Sequence, residues 1–137
     1  SAASDVYKRQ GRKSDAIFAT VDFMPTLARL CGFKVPDDRK IDGVDQTNLL
    51  LGKSENGRET FYFDRAGIRK GKWKYLKADA QVYGYAREDN RPKEEELYNL
   101  EKDLEEKNNL AKKHPKILAE LRKLTESMPK DGPGGIH

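Results

Sequence analysis

Hydrophobic positions along the chain change their period twice. Early on they recur at helical spacing. Phe23, Leu27 and Leu30, with Met24 and Cys31 beside them, predict a helix over 22–31. Asp22 stands where an N-cap carboxylate would accept from the first-turn N–H groups. Pro25 falls within that turn, where its missing N–H costs little, and Gly32 suits a left-handed cap. Val35 to Lys40 is a turn-rich connector, and Asp42-Gly43 is a tight-turn signal. Leu49, Leu50 and Leu51 form a short apolar patch, and the polar run 54–59 is the best candidate for a subdomain boundary.

The period then shifts to two. Phe61-Tyr62-Phe63 is strand-like, and the runs on either side of Lys70-Gly71 alternate as a hairpin does. That alternation puts Trp73 and Tyr75 on one face and Lys72 and Lys74 on the other. Glu96 to Leu100 is another short strand after a polar loop over 79–93. Asp103 opens a turn, and the helical period returns after Pro115. Ile117, Leu118, Leu121, Leu124 and Met128 form one amphipathic stripe. Pro129 to Gly135 cannot continue a helix and reads as a mobile tail. These elements predict an α+β fold, a small antiparallel sheet with the C-terminal amphipathic helix across one face, because the helix must bury its stripe on something.

Composition narrows the chemistry. Of 137 residues, 36% are hydrophobic and 36% charged, which leaves a thin core. The net charge of +4 comes from Lys, Arg, Asp and Glu mixed along the chain, so the pattern is that of a solvated surface and not a nucleic-acid face. No apolar run is long enough for a membrane-spanning helix. The one cysteine excludes an internal disulfide, and two distant histidines, His114 and His137, leave little for a metal site. Cys31 sits on a last helical turn, where the dipole disfavours a thiolate, and reads as a buried small hydrophobe. Asp37-Asp38 reads as a turn, since one pair of carboxylates does not make a calcium site. Asp5 to Gln10 resembles a translated sequencing adaptor, so residues 1–13 are expected to be a leader outside the fold. The chain would then begin in mid-gene.

Four segments together carry a family resemblance. Val21-Asp22-Phe23-Met24-Pro25-Thr26-Leu27 through Leu30-Cys31-Gly32 resembles the V-D-x-x-P-T-L…L-x-G helix of type I sulfatases. Ile41-Asp42-Gly43-Val44-Asp45 resembles their connector, and Ile68-Arg69-Lys70-Gly71-Lys72-Trp73-Lys74-Tyr75 their V/I-R-x-G-x-W-K hairpin. Glu96-Leu97-Tyr98-Asn99-Leu100 with Asp103, Glu106, Asn108, Leu110 and Ala111 resembles E-L-Y-D/N-L-x-x-D-P-x-E-x-x-N-L-A, with Leu104 where proline is common. The resemblance implies that 14–57 closes an α/β catalytic domain, that 58–128 is the C-terminal subdomain, and that 129–137 is a tail. It implies a parent enzyme hydrolysing sulfate esters with calcium and a formylglycine nucleophile. Its substrate would be a sulfated carbohydrate or aryl sulfate, and its location periplasmic or secreted.

None of that chemistry is expected within this chain. Cys31 is followed by Gly32-Phe33-Lys34-Val35, and Ser127-Met128-Pro129 lacks the arginine of the C/S-x-P-x-R motif. No catalytic or metal-ligating residue is therefore assigned, and the chain alone is expected to be inactive without the N-terminal catalytic domain. Substrate contact is expected from Tyr83, Tyr85 and Arg87 on a loop, with Arg69. Trp73 and Tyr75 are expected in the core beneath a solvated basic face. His114 is expected to serve a local turn or cap. The helix over 22–31 is expected to leave Phe23, Met24 and Leu27 uncovered. Two other readings remain: a related phosphoesterase of the alkaline phosphatase superfamily, and a stand-alone carbohydrate- or protein-binding module.

Overall fold

A computed structural model describes residues 13–39, 41–80 and 91–128. They form two compact units that divide between Arg58 and Glu59.

In the first unit a 3-10 turn, Thr20–Asp22, leads into helix α1, Phe23–Leu30, and a single turn, α2, spans Thr47–Leu50. Gly32 adopts φ +76°, and the Phe33 N–H returns to the Ala28 carbonyl, so α1 ends in the left-handed cap expected of it. Asp22 holds the N-cap position of α1, but its side chain makes no capping hydrogen bond there. The 3-10 turn draws it into helical backbone geometry, φ −78° and ψ −16°, and its carboxylate reaches back to the Ala19 N–H, 2.9 Å. The buried side of α1 carries Pro25 and Thr26. Pro25 packs so closely on Gly43 that a Cβ there would lie 2.9 Å from the proline ring and 2.2 Å from the Val21 carbonyl oxygen. The glycine of the connector's Asp-Gly pair is thus needed for close approach. Leu49 and Leu50 lie in α2, where Asp45 accepts from the Thr47 N–H at 2.9 Å.

The opposite side of α1 is uncovered. Phe23, Met24, Leu27 and Leu30 are 49, 47, 50 and 43% exposed. Cys31 is exposed too, against the expectation of burial. At 100° per residue it falls between Leu27 and Met24 on the outward face.

The second unit is a four-stranded antiparallel sheet in sequential order: β1 Thr60–Tyr62, β2 Gly67–Lys70, β3 Trp73–Leu76 and β4 Glu96–Asn99. Register lines up Tyr62, Ile68, Tyr75 and Leu97 in one row across all four strands. Helix α3, Pro115–Glu126, starts on its proline and lays Leu121 on that row. Ile68, Tyr75, Leu97, Ala111 and Leu121 make the buried core, with Trp73, Ile117, Leu118 and Leu124 packed around it. The hairpin pairs Lys70 with Trp73, so the two turn residues are Gly71-Lys72 and not Lys70-Gly71. Gly71 takes φ +52°, the first central position of a type II′ turn, which matches strand twist. Between β4 and α3, Asp103 accepts from the Lys107 and Asn108 N–H groups at 3.1 and 2.7 Å. Asn109 accepts from the Leu97 N–H at 3.2 Å and donates to the Glu95 carbonyl at 3.0 Å, fixing that loop to the edge strand. This is the α+β arrangement that the alternating and helical periods imply.

Candidate functional site

Asp22 is the most enclosed charged side chain among the described residues, at 0% exposure. Its Oδ1 accepts from the Val44 N–H at 2.8 Å, and the Arg58 guanidinium binds both carboxylate oxygens, with Nε 3.1 Å from Oδ2. Arg58 also donates to the Asp42 carbonyl at 2.7 Å. One step away, Thr26 Oγ1 accepts from the Gln46 N–H at 2.9 Å. Burial alone would raise the Asp22 carboxyl pKa. The Arg58 hydrogen bonds and the Val44 and Ala19 N–H groups outweigh it and hold the value at about 2, below its ordinary 3.8. With its lone pairs committed, this carboxylate is a fold-closing group and has none left for a substrate or a cation.

That shift gives stability a pH dependence of definite sign. The folded state binds the proton more weakly, so the contribution is complete above the unfolded pKa and is lost as pH falls through the folded one. The first unit should lose roughly 2 kcal/mol between about pH 5 and pH 2, read as an acid-side drop in the urea midpoint. Asp22→Asn should flatten that drop.

In the second unit, Glu95 joins the sheet to α3. The buried Tyr75 hydroxyl donates to Glu95 Oε1 at 2.6 Å, Arg122 Nε donates to the same oxygen at 2.7 Å, and Arg122 Nη2 binds Oε2. Arg122 holds the Glu95 carboxyl below its usual range, and burial followed by Glu95 pushes the Tyr75 phenol up. Tyrosine stays neutral and glutamate ionised, so the triad is a static tie with no proton to transfer near neutral pH.

The basic face is largely neutralised. Lys74 bonds both Glu106 oxygens at 2.6 and 2.7 Å and stands 5.4 Å from the Phe63 ring centroid. Lys72 meets Glu101 at 3.3 Å; on the other, helix-facing side of the sheet Lys70, cross-strand from Trp73, meets Glu120 at 2.8 Å. Lys74 is therefore half-buried and paired where the alternation suggested a solvated lysine. These carboxylates come from other elements, which strand alternation does not report. Tyr75 is fully buried and Trp73 partly so, as their shared face requires. The His114 ring lies 5.2 Å from Trp73, at the start of α3.

Among the substrate-contact candidates, Arg69 lies on β2, on the face opposite Ile68, with its Nε donating to the Gly71 carbonyl at 3.1 Å. Tyr83, Tyr85 and Arg87 lie outside the described residues. Among the described residues, no group of three or more His, Cys, Asp or Glu is placed to hold a metal ion, and no helix is long and apolar enough to cross a membrane.

The second unit also has an open recess of about 370 Å³ between the β2–β3 hairpin and α3. Trp73, Ile117 and Leu121 line it together with Lys70, Lys72 and Glu120. Sequence reasoning missed it. The available signal was Glu120, one turn from Ile117 on α3, but only tertiary packing sets it against Lys70.

No family model matches the chain. It is 35% identical over 128 residues to an N-acetylgalactosamine-6-O-sulfatase of Bacteroides thetaiotaomicron, an alignment covering 88% of the chain and 25% of that protein. It is 29% identical over 125 residues to arylsulfatase G of Rattus norvegicus, covering 82% and 24%. Its relatives are sulfatases. The chain spans about a quarter of the length of these curated relatives. Among solved structures, one associated with metabolism of multiple glycosaminoglycans by Bacteroides thetaiotaomicron aligns with a TM-score of 0.65 at 36% identity, over 84% of the chain and 25% of that structure. A 2-O GAG sulfatase aligns at 0.58 and 28% identity, over 86% and 26%. The small sheet and its helices match the C-terminal region of these sulfatase structures.

Proposed function

We propose that this chain is the C-terminal portion of a formylglycine-dependent sulfatase that hydrolyses sulfate esters of a carbohydrate. The observation that carries this reading is the 35% identity with an N-acetylgalactosamine-6-O-sulfatase across 88% of the chain. The α1 face supports it. An amphipathic helix with Thr26 inward and Phe23, Leu27 and Leu30 outward is built to be covered by further protein.

The described residues do not fit the nucleophile or the calcium ion of this chemistry. Asp22 has no free lone pair, Cys31 lacks the surrounding motif, and no metal-ligand cluster forms among them. No step of hydrolysis is assigned to them. The chain's part is to complete the fold and to border the substrate, with Tyr83, Tyr85, Arg87 and Arg69 as its contacts. A periplasmic or secreted location goes with that reading.

The test is to recover the parent gene and assay both proteins with a chromogenic aryl sulfate and added calcium. The parent should carry a C/S-x-P-x-R motif and turn over, and the 137-residue chain should give no turnover above buffer. General acid–base and electrostatic contributions are each worth orders of magnitude in rate, and none of the described residues is assigned to either. Turnover by the chain alone, abolished by a substitution within it, would overturn the reading.

A further inference from the structure

The recess between the β2–β3 hairpin and α3 combines two chemistries. Its floor is apolar: Trp73, Ile117 and Leu121. Its rim is charged: Lys70, Lys72, Glu59 and Glu120, with Lys70 paired to Glu120 at 2.8 Å and Lys72 to Glu101 at 3.3 Å. Two lysines and two glutamates balance, so a free sulfate or phosphate would meet carboxylates as often as ammonium groups. A peptide strand finds no backbone partner there. β2 and β3 are the two inner strands, and their ladders are already filled by β1 and β4. A volume of about 370 Å³ is at the small end for ligand sites and too small for an amphipathic helix.

The ligand that fits is small, uncharged and two-sided, with one apolar face and an edge dense in hydroxyl groups. We propose that this recess binds one pyranose ring of an oligosaccharide, its C–H face on Trp73 and Ile117 and its hydroxyls exchanging hydrogen bonds with the Lys70–Glu120 pair. Trp73 supplies a broad rigid surface at low entropic cost. Carboxylate and ammonium at the rim supply acceptors and donors that strengthen against hydroxyls. If the parent acts on a glycan, the recess would hold one ring of that glycan. The choice of probe rests on the sulfatase reading, whereas the recess does not.

Trp73 is the single tryptophan of the chain, so its emission reports on this site alone. The intact 137-residue chain should be titrated with unsulfated chondroitin tetrasaccharide, with sodium sulfate in parallel. The expected result is a saturable change in emission with a Kd on the order of 1 mM for the saccharide and none for sulfate. Glu120→Ala, on an exposed helix position, should weaken binding about tenfold without changing the unfolding midpoint. Amide shifts should centre on Gly71, Trp73 and Ile117. No saturable signal up to about 10 mM, an equal response to sulfate, or shifts centred elsewhere would overturn the proposal. A parent gene without a sulfatase motif would sink the functional reading and leave this titration unaffected. An active parent whose C-terminal chain gives no signal would sink the recess alone.

Discussion

Asp22→Ala should unfold the first unit in preference to the second, at a cost of about 3–5 kcal/mol. The substitution leaves the Ala19 and Val44 N–H groups without their acceptor and strands the Arg58 guanidinium, whose side chain is only 16% exposed. Among the described residues this unit has little else to draw on, because its buried hydrophobics are Ile17, Ala19 and Pro25, while α1 turns its larger side chains outward. Against a typical total of about 5–15 kcal/mol, that loss removes much of the stability available. Amide hydrogen exchange should show protection lost at Val44 and Gln46 and retained at Tyr75 and Leu97. Asp22→Asn keeps the shape and one acceptor and should cost less. Removing both partners in Asp22→Ala/Arg58→Met should recover part of the loss, since the stranded cation is then gone. A change below about 1 kcal/mol for the single substitution would mean that the network does not close the unit.

Leu121→Ala should cost the second unit roughly 2–5 kcal/mol, measured by urea unfolding at unchanged slope. Leu121 is 1% exposed and sits on the row formed by Ile68, Tyr75 and Leu97, where truncation leaves a cavity that the sheet cannot collapse to fill. The Glu95–Arg122 tie one residue on holds the helix against the sheet and limits relaxation. Trp73 emission follows the transition in this unit. Lys123→Ala, on the exposed side of the same helix, should stay within about 0.5 kcal/mol. A neutral result at Leu121 would mean that α3 is not docked.

The elements whose residues answer to a local period were legible beforehand. The alternation through Ile68–Tyr75, the stripe Ile117–Leu118–Leu121–Leu124, the Pro115 start and the Gly32 stop each follow from backbone geometry within one turn or one strand. The segments that resemble sulfatase motifs were legible for the same reason, as ordered short strings. The exact hairpin was one residue off, because only the pairing of Lys70 with Trp73 shows which side of Gly71 the turn takes.

The charged networks were not legible. Asp22 meets Arg58 across 36 residues, Glu95 meets Arg122 across 27, and Lys74 meets Glu106 across 32. A carboxylate reads the same in sequence whether it caps a helix, faces water or closes a unit. Which it does depends on the partners that packing brings within hydrogen-bond reach, and on how much water that packing removes. The outward turn of α1 and the exposure of Cys31 have the same origin. The 3.6-residue period specified an apolar stripe on that helix, while the tertiary structure decided which side is covered: Pro25 and Thr26 close on Gly43 and Gln46, and the stripe is left facing out.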